Sequence, residues 1–256
     1  METDGGRTGR EDHPKPREPF PSAVVTGSAS GIGRALAYRL AAAGSTLVLA
    51  DRSPGPLAEV AATLGATSVP TDVSDPSAME ALAQVARDAR LICLNAGIVG
   101  ALGAPWELRH ADWDSVFSVN VGGVTNGLRA FVPQLLESGD RAHILITASL
   151  AGLASFPGNG AYGPSKSAVI AIAEQAALAL EGTAIGVTVL CPALVRTGMS
   201  DVGVDPLHVA DEALAAVAAG SFLVVPPEWH QAVTDRTARL VSGGPVSAPT
   251  APRSAG

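Results

Sequence analysis

Cysteine is nearly missing from this 256-residue sequence: only Cys93 and Cys191 occur, each inside an apolar run. With no CxxC pair, a disulfide framework and a cysteine-based metal site are both excluded, and reduced, buried thiols in a cytoplasmic protein are expected. Histidine is almost as sparse. His13, His110, His143, His208 and His230 form no ligand spacing, so no metal is expected. Charged residues make up 16% and the net charge is −7, which argues against a phosphate-backbone binder and hence against a nucleic-acid partner. No uncharged apolar run reaches the roughly 18 residues of a membrane span; Glu174 and Glu181 interrupt the best candidate, so no membrane partner is expected. The polar, proline-rich stretch 1–19 precedes no apolar segment, and no secretory leader is expected there. A GxSxG elbow is absent as well, which leaves a hydrolase triad unsupported.

What is present is apolar. Hydrophobic residues account for 47% and mean hydropathy is +0.28, enough for a large core and incompatible with wholesale disorder. Composition divides the chain into a polar tail at 1–19, a folded body at 20–241 and a second tail of Gly, Pro, Ser and Ala at 242–256, with both tails expected to be disordered. Within the body, short β-rich runs alternate with Ala-rich helical stretches. Strands are expected at Ala23–Thr26, Thr46–Ala50, Thr67–Pro70, Leu91–Leu94, Ala142–Ala148, Ile185–Cys191 and Phe222–Val225. Helices are expected near 32–43, 55–64, 76–88, 112–137, 161–182 and 206–219. The strands are continuous apolar runs, as strands covered on both faces should be. The pattern predicts an α/β fold: a single-domain, doubly wound parallel sheet of the Rossmann type with helices on both faces. Such sheets bind ligands at the carboxyl ends of their strands, near the switch point.

Two features at strand ends carry chemistry. After the first strand come Gly27, Ser30, Gly31, Ile32 and Gly33, in a glycine-rich turn that opens a helix. Such a turn lets a pyrophosphate approach bare backbone N–H groups at a helix N-terminus. Strand two ends in Asp51-Arg52, 18 residues past Gly33. A carboxylate there can accept both adenosine ribose hydroxyls and repels a 2′-phosphate, so NAD is expected over NADP. Arg52 pulls toward the phosphate, and an NADP-dependent reductase stays open as the alternative.

Tyr162 and Lys166, spaced i, i+4, share a helix face. A phenol titrates near pH 10, and a cation one turn away favours the phenolate. A downward shift of about 3 units would correspond to roughly 4 kcal/mol and bring the phenol near the pH where proton transfer to an alcohol is efficient. Lysine occurs only twice, and the other, Lys15, lies in the N-terminal tail, so Lys166 departs from the chain's preference for arginine. Asn120 sits beside Gly122-Gly123, a poor helical neighbourhood that predicts a local kink or bulge.

TGSASGIG at 26–33 resembles the cofactor signature of the short-chain dehydrogenase/reductase family. Further marks of that family follow in order: Asp72-Val73, Asn95-Ala96-Gly97, Asn120, Ser149, Tyr162-Gly-Pro-Ser-Lys166, and Pro192-Ala-Leu-Val195-Arg-Thr197. The resemblance spans roughly 22–241 and implies an oxidoreductase moving a hydride between a nicotinamide cofactor and a small uncharged carbonyl or secondary alcohol. It implies Tyr162 as acid–base, Lys166 tuning it and gripping the ribose, Ser149 orienting substrate, and Asn120 holding a water. It places Asp72, Val73, Asn95, Ala96, Gly97, Pro192, Val195 and Thr197 with the glycine turn, Asp51 and Arg52 around the cofactor, and it implies a homodimer or homotetramer. Substrate walls are expected from Ile98, Leu150, Leu153, Phe156, Leu194 and Met199. The sequence departs from the family at Leu94 (usually Asn), at Ala193 (usually Gly), and in a brief loop after Thr197. A non-catalytic nucleotide-binding relative is the remaining alternative.

Overall fold

The apolar runs become seven strands: β1 (Ser22–Thr26), β2 (Thr46–Asp51), β3 (Thr67–Pro70), β4 (Leu91–Leu94), β5 (Ala142–Thr147), β6 (Ile185–Leu190) and β7 (Leu223–Val224). This computed structural model describes residues 20–197 and 201–250. The N-terminal tail, residues 251–256 and Met199 lie outside the described residues. The strands form one sheet in the order β3-β2-β1-β4-β5-β6-β7, with every neighbouring pair parallel. The chain winds outward from β1 through β2 to β3, then returns to β4 on the other side of β1. That reversal opens a crevice at the carboxyl ends of β1 and β4.

Alternation within the strands builds two cores. Val24, Ile92, Ile144, Ile146 and Val189 point to one face, under α3 (Pro76–Val85), α5 (Gly123–Ser138) and α7 (Tyr162–Ala179). Val25, Cys93, Leu145 and Leu190 point to the other, under α1 (Gly31–Ala42), α2 (Pro54–Leu64) and α8 (Pro206–Ala219). All of β5 is buried, as a central strand with helices on both faces requires. Three helices open on Pro54, Pro76 and Pro206, where the missing N–H costs nothing. Asp75 and Asp205 cap two of them by accepting from Ser77 and Leu207.

The expected helix at 112–137 is interrupted. It resolves into α4 (His110–Phe117), a π turn (Ser118–Gly122) and α5. Small residues permit the bulge: a Cβ on Gly123 would lie 2.7 Å from Val73 Cγ2. Strand seven contracts from the expected Phe222–Val225 to Leu223–Val224 at the sheet edge. Three elements were not anticipated: α6 (Leu150–Leu153), a 3₁₀ turn (Pro227–Trp229) and α9 (His230–Ser242). α9 buries no residue, although Val233, Leu240 and Val241 fall at helical spacing along it. Residues 243–250 follow it without regular structure. Among the described residues no helix is long and apolar enough to cross a membrane.

Candidate active site

The crevice begins at the glycine turn. Gly27 and Gly31 have φ of 66° and 53°, values that favour glycine. A Cβ on Gly27 would lie 2.9 Å from Ala96 Cα, and one on Gly33 only 2.1 Å from the Gly27 carbonyl oxygen. The turn therefore packs backbone on backbone, leaving its outer surface bare. Ser30 caps α1 without a side-chain hydrogen bond, and the first turn of α1 holds no acidic residue. The first intrahelical bond is Arg34 N–H to Ser30 O, so the N–H groups before it are available to an anion.

Asp51 closes the turn from the end of β2. Its carboxylate accepts from Ala29 N at 3.1 Å and from Ser53 N at 2.9 Å. Arg52 is exposed and its charge reaches Asp72. The hydroxyl and backbone N–H of Ser74 lower the Asp72 carboxyl from its ordinary value, against partial burial and with help from Arg52. Val73 is buried against Gly123.

Asn95 ties three strands together. Its Nδ2 donates to Thr26 O at 3.1 Å, and its Oδ1 accepts from Thr147 Oγ1 at 3.0 Å. Thr26 Oγ1 accepts from the backbone N–H groups of Asn95 and Ala96 at 2.9 and 3.1 Å. The carboxyl ends of β1, β4 and β5 are thereby fixed as one floor.

On that floor stand the polar side chains. Ser149 caps α6, accepting from Ala151 N at 3.1 Å. α6 is clamped to α7: Ser167 Oγ donates to Gly152 O at 2.9 Å, and a Cβ on Gly152 would lie 2.7 Å from the Lys166 backbone. The clamp brings the Ser149 hydroxyl to face the Tyr162 hydroxyl. Lys166, 3% exposed, donates to Thr147 O at 2.9 Å, with its Nζ 5.7 Å from the Tyr162 ring centroid. Asn120, 1% exposed, holds the Ile98 backbone at both N–H and C=O, at 2.8 and 2.9 Å. Above Gly97, Asn120 Oδ1 and Lys166 Nζ converge: a Cβ there would lie 3.1 and 3.2 Å from them. Asn120, Ser149, Tyr162 and Lys166 are thus brought together by three elements: the π turn, the start of α6 and α7.

One expectation is corrected. Lys166 was expected to draw the Tyr162 hydroxyl below its ordinary value. Burial instead pushes it up, opposed by the Ser149 hydroxyl, with a small further push from Cys191. The cation has little hold on it because the ammonium turns toward Thr147 O and is itself pushed down to about 8 by burial.

The remaining sequence-predicted residues close one side. Pro192 O accepts from Leu150 N at 2.9 Å, Val195 bridges to Val204, and the Thr197 side chain lies 3.0 Å from where a Cβ on Gly31 would be. Of the expected substrate walls, Ile98, Leu153 and Phe156 are half-buried and Leu194 is exposed. Leu150 is buried, 3% exposed, at the start of α6. Sequence reasoning assigned no role to Thr147, to Ser165 or to Cys191, whose sulfur faces the Ser149 backbone N–H, and it quoted Thr26 only as the start of the glycine-rich motif. It also missed Trp229, which meets Phe156 edge-on at 5.8 Å.

The family description "short chain dehydrogenase" matches residues 21–205. The chain belongs to this family of oxidoreductases. It is 40% identical over 213 residues to a 1-deoxy-11-beta-hydroxypentalenate dehydrogenase of Streptomyces avermitilis, covering 77% of this chain and 79% of that one. A protein of the same name from Streptomyces exfoliatus is 43% identical over 188 residues, or 70% and 68% of the two chains. Among solved structures, a family member from Burkholderia phymatum in complex with NAD superimposes with a TM-score of 0.87 at 34% identity, covering 91% of this chain and 99% of its own. A 3-ketoacyl-(acyl-carrier-protein) reductase from Brucella melitensis complexed with NADH gives a TM-score of 0.75 at 25% identity, over 79% and 95%.

Proposed function

We propose that this protein is an NAD(H)-dependent dehydrogenase acting on an uncharged secondary alcohol or the corresponding ketone, with Tyr162 as its acid–base residue. The observation that carries the reading is the meeting of the Ser149 and Tyr162 hydroxyls beside the buried Lys166 ammonium, at the carboxyl ends of β4 and β5.

The residues present fit a dinucleotide. The bare surface of the glycine turn and the open N-terminus of α1 suit a pyrophosphate, held by Gly27, Ser30, Gly31, Ile32 and Gly33. Asp51 uses one acceptor site on each oxygen, and a carboxylate has about four, leaving two for ribose hydroxyls. Asp72, Val73, Asn95, Ala96, Gly97, Pro192, Val195 and Thr197 line the remaining course. When bound, the nicotinamide supplies or accepts the hydride.

The chain's own groups manage the proton and the charge. Ser149 donates to the substrate oxygen and stabilises negative charge there. Tyr162 gives that oxygen a proton in reduction or takes one in oxidation. Lys166, its ammonium donating to Thr147 O, places a buried donor within one helical turn of the phenol, where a ribose hydroxyl can reach it. Asn120 keeps the floor above Gly97 polar. The apolar Ile98, Leu153 and Phe156 favour an uncharged substrate, whereas the named relatives act on a hydroxy carboxylate, so alicyclic alcohols with and without a carboxylate are the first classes to try. Assembly as a homodimer or homotetramer goes with this reading.

The test is absorbance at 340 nm with NAD(H) and NADP(H) in turn, against a panel of alicyclic, steroid-like and aliphatic alcohols and ketones. NAD(H)-linked turnover of an alicyclic member is expected. Turnover only with NADP(H) would favour the second reading, in which exposed Arg52 faces a 2′-phosphate. No turnover across the panel would contradict both.

A further inference from the structure

Ser165 has no part in the chemistry above, yet it is 0% exposed in the polar seam between the π turn and α7. Its hydroxyl accepts from Asn120 Nδ2 at 2.9 Å and donates to the Tyr162 carbonyl at 2.7 Å. Asn120 simultaneously grips both polar groups of the Ile98 backbone. Its two amide protons and its oxygen are therefore all engaged. The resulting chain, Ile98–Asn120–Ser165–Tyr162, runs from the loop after β4 through the π turn to the first turn of α7. Tyr162 and Lys166 sit on that turn.

Apolar packing between these elements has no direction of its own. A hydroxyl with one donor and one acceptor role sets both distance and orientation. Alanine at 165 would leave a buried amide proton of Asn120 without its acceptor, and an unpaired buried donor carries the full desolvation penalty.

We propose that Ser165 is a positioning residue: it locks the amide of Asn120 to the first turn of α7, so that Tyr162 and Lys166 stay in register with the floor above Gly97. The inference rests on the reading of Tyr162 and Lys166 as the reacting pair. It adds a residue that touches neither substrate nor cofactor.

Three variants test it: Ser165→Ala and Ser165→Cys remove the hydroxyl, and Ser165→Thr keeps it. In ¹⁵N-labelled wild-type protein, the Asn120 side-chain amide, assigned by its loss in Asn120→Asp, is expected to exchange slowly with solvent. In Ser165→Ala that exchange is expected to speed up about tenfold or more, with kcat falling about tenfold. NADH affinity, read by fluorescence, is expected to stay within about twofold, because the chain does not reach the glycine turn. Ser165→Thr should recover both the slow exchange and kcat. If the alanine variant fails to fold, the near-isosteric cysteine gives the same reading. Unchanged amide exchange in the variant that lacks the hydroxyl overturns the lock. Equal losses in kcat and NADH affinity overturn the positioning role, since they mark general loosening. A wild-type protein with a protected amide and no turnover overturns the functional reading, and with it the purpose assigned to the lock.

Discussion

Replacing Asp51 by alanine separates the structural task of this carboxylate from the cofactor selection proposed for it. The first is structural: Asp51 accepts from Ala29 N at 3.1 Å and from Ser53 N at 2.9 Å, joining the glycine turn to the entrance of α2. Each bond is half-exposed and contributes about 0.5–1.5 kcal/mol, so the variant is expected to lose about 1–3 kcal/mol of stability. For a domain of this size that lowers Tm by roughly 2–4 °C per kcal/mol. The second task is selection. Two acceptor sites remain for ribose hydroxyls, and charge-assisted hydrogen bonds of this kind contribute about 1.5–3 kcal/mol each before solvent screening. Losing them is expected to weaken NADH about tenfold or more, equivalent to about 1.4 kcal/mol. NADPH should be unaffected or gain, since like charge near its 2′-phosphate is removed. The exposed Arg52 contributes about 1 kcal/mol or less toward that phosphate. The assay is a pair of fluorescence titrations with NADH and NADPH on wild type and Asp51→Ala, alongside a thermal melt. An unchanged NADH-to-NADPH affinity ratio would refute the assignment of Asp51 to the ribose. A lowered Tm with an unchanged ratio would show that the carboxylate serves the turn alone.

Further outcomes follow from the same coordinates. Gly33→Ala places a methyl 2.1 Å from the Gly27 carbonyl oxygen and 2.6 Å from Asn95 Nδ2; NADH binding is expected to be lost in a titration while Tm falls by several degrees, and retained affinity would contradict the packed turn. Cys93, fully buried, is pushed from 9.0 up to about 12 by burial. Its folded value lies above its unfolded one, so this contribution to stability is complete below pH 9 and is lost between about pH 9 and 12. At about 1.4 kcal/mol per unit it amounts to at most about 4 kcal/mol. Cys93→Ala should flatten the alkaline limb of a urea-midpoint-versus-pH curve, and neither thiol of the native protein should react with a disulfide reagent at pH 8. An unaltered alkaline limb would remove Cys93 as a cause.

The sheet was legible because β4, β5 and β6 are mostly apolar runs separated by Ala-rich segments, a pattern with few competing folds. The candidate site was legible because glycines, a carboxylate and a Tyr-xxx-Lys spacing fall directly after strands. Even the bulge at Asn120 was signalled by Gly122-Gly123. What remained hidden has physical reasons. α9 is mostly polar and follows the last strand, where no strand–helix alternation marks it, and Trp229 just before it meets Phe156 across 73 residues of chain. Thr147 and Ser165 are common residue types whose roles arise only when β5, the π turn and α7 meet. The direction of the Tyr162 shift turned on burial and on where the Lys166 ammonium points, neither of which a spacing encodes. Leu150, expected among the pocket walls as an apolar residue, is buried at the start of α6.

The most direct test of the account is the turnover of Tyr162→Phe with NADH and a substrate that wild type accepts. The substitution removes one hydroxyl, the one that faces Ser149, and leaves the ring within the same packing. NADH affinity is expected to stay within about twofold, while kcat falls by two or more orders of magnitude, the scale of a lost general acid–base group. Retention of more than about a tenth of wild-type kcat, with NADH still bound, would contradict Tyr162 as the residue that exchanges the proton.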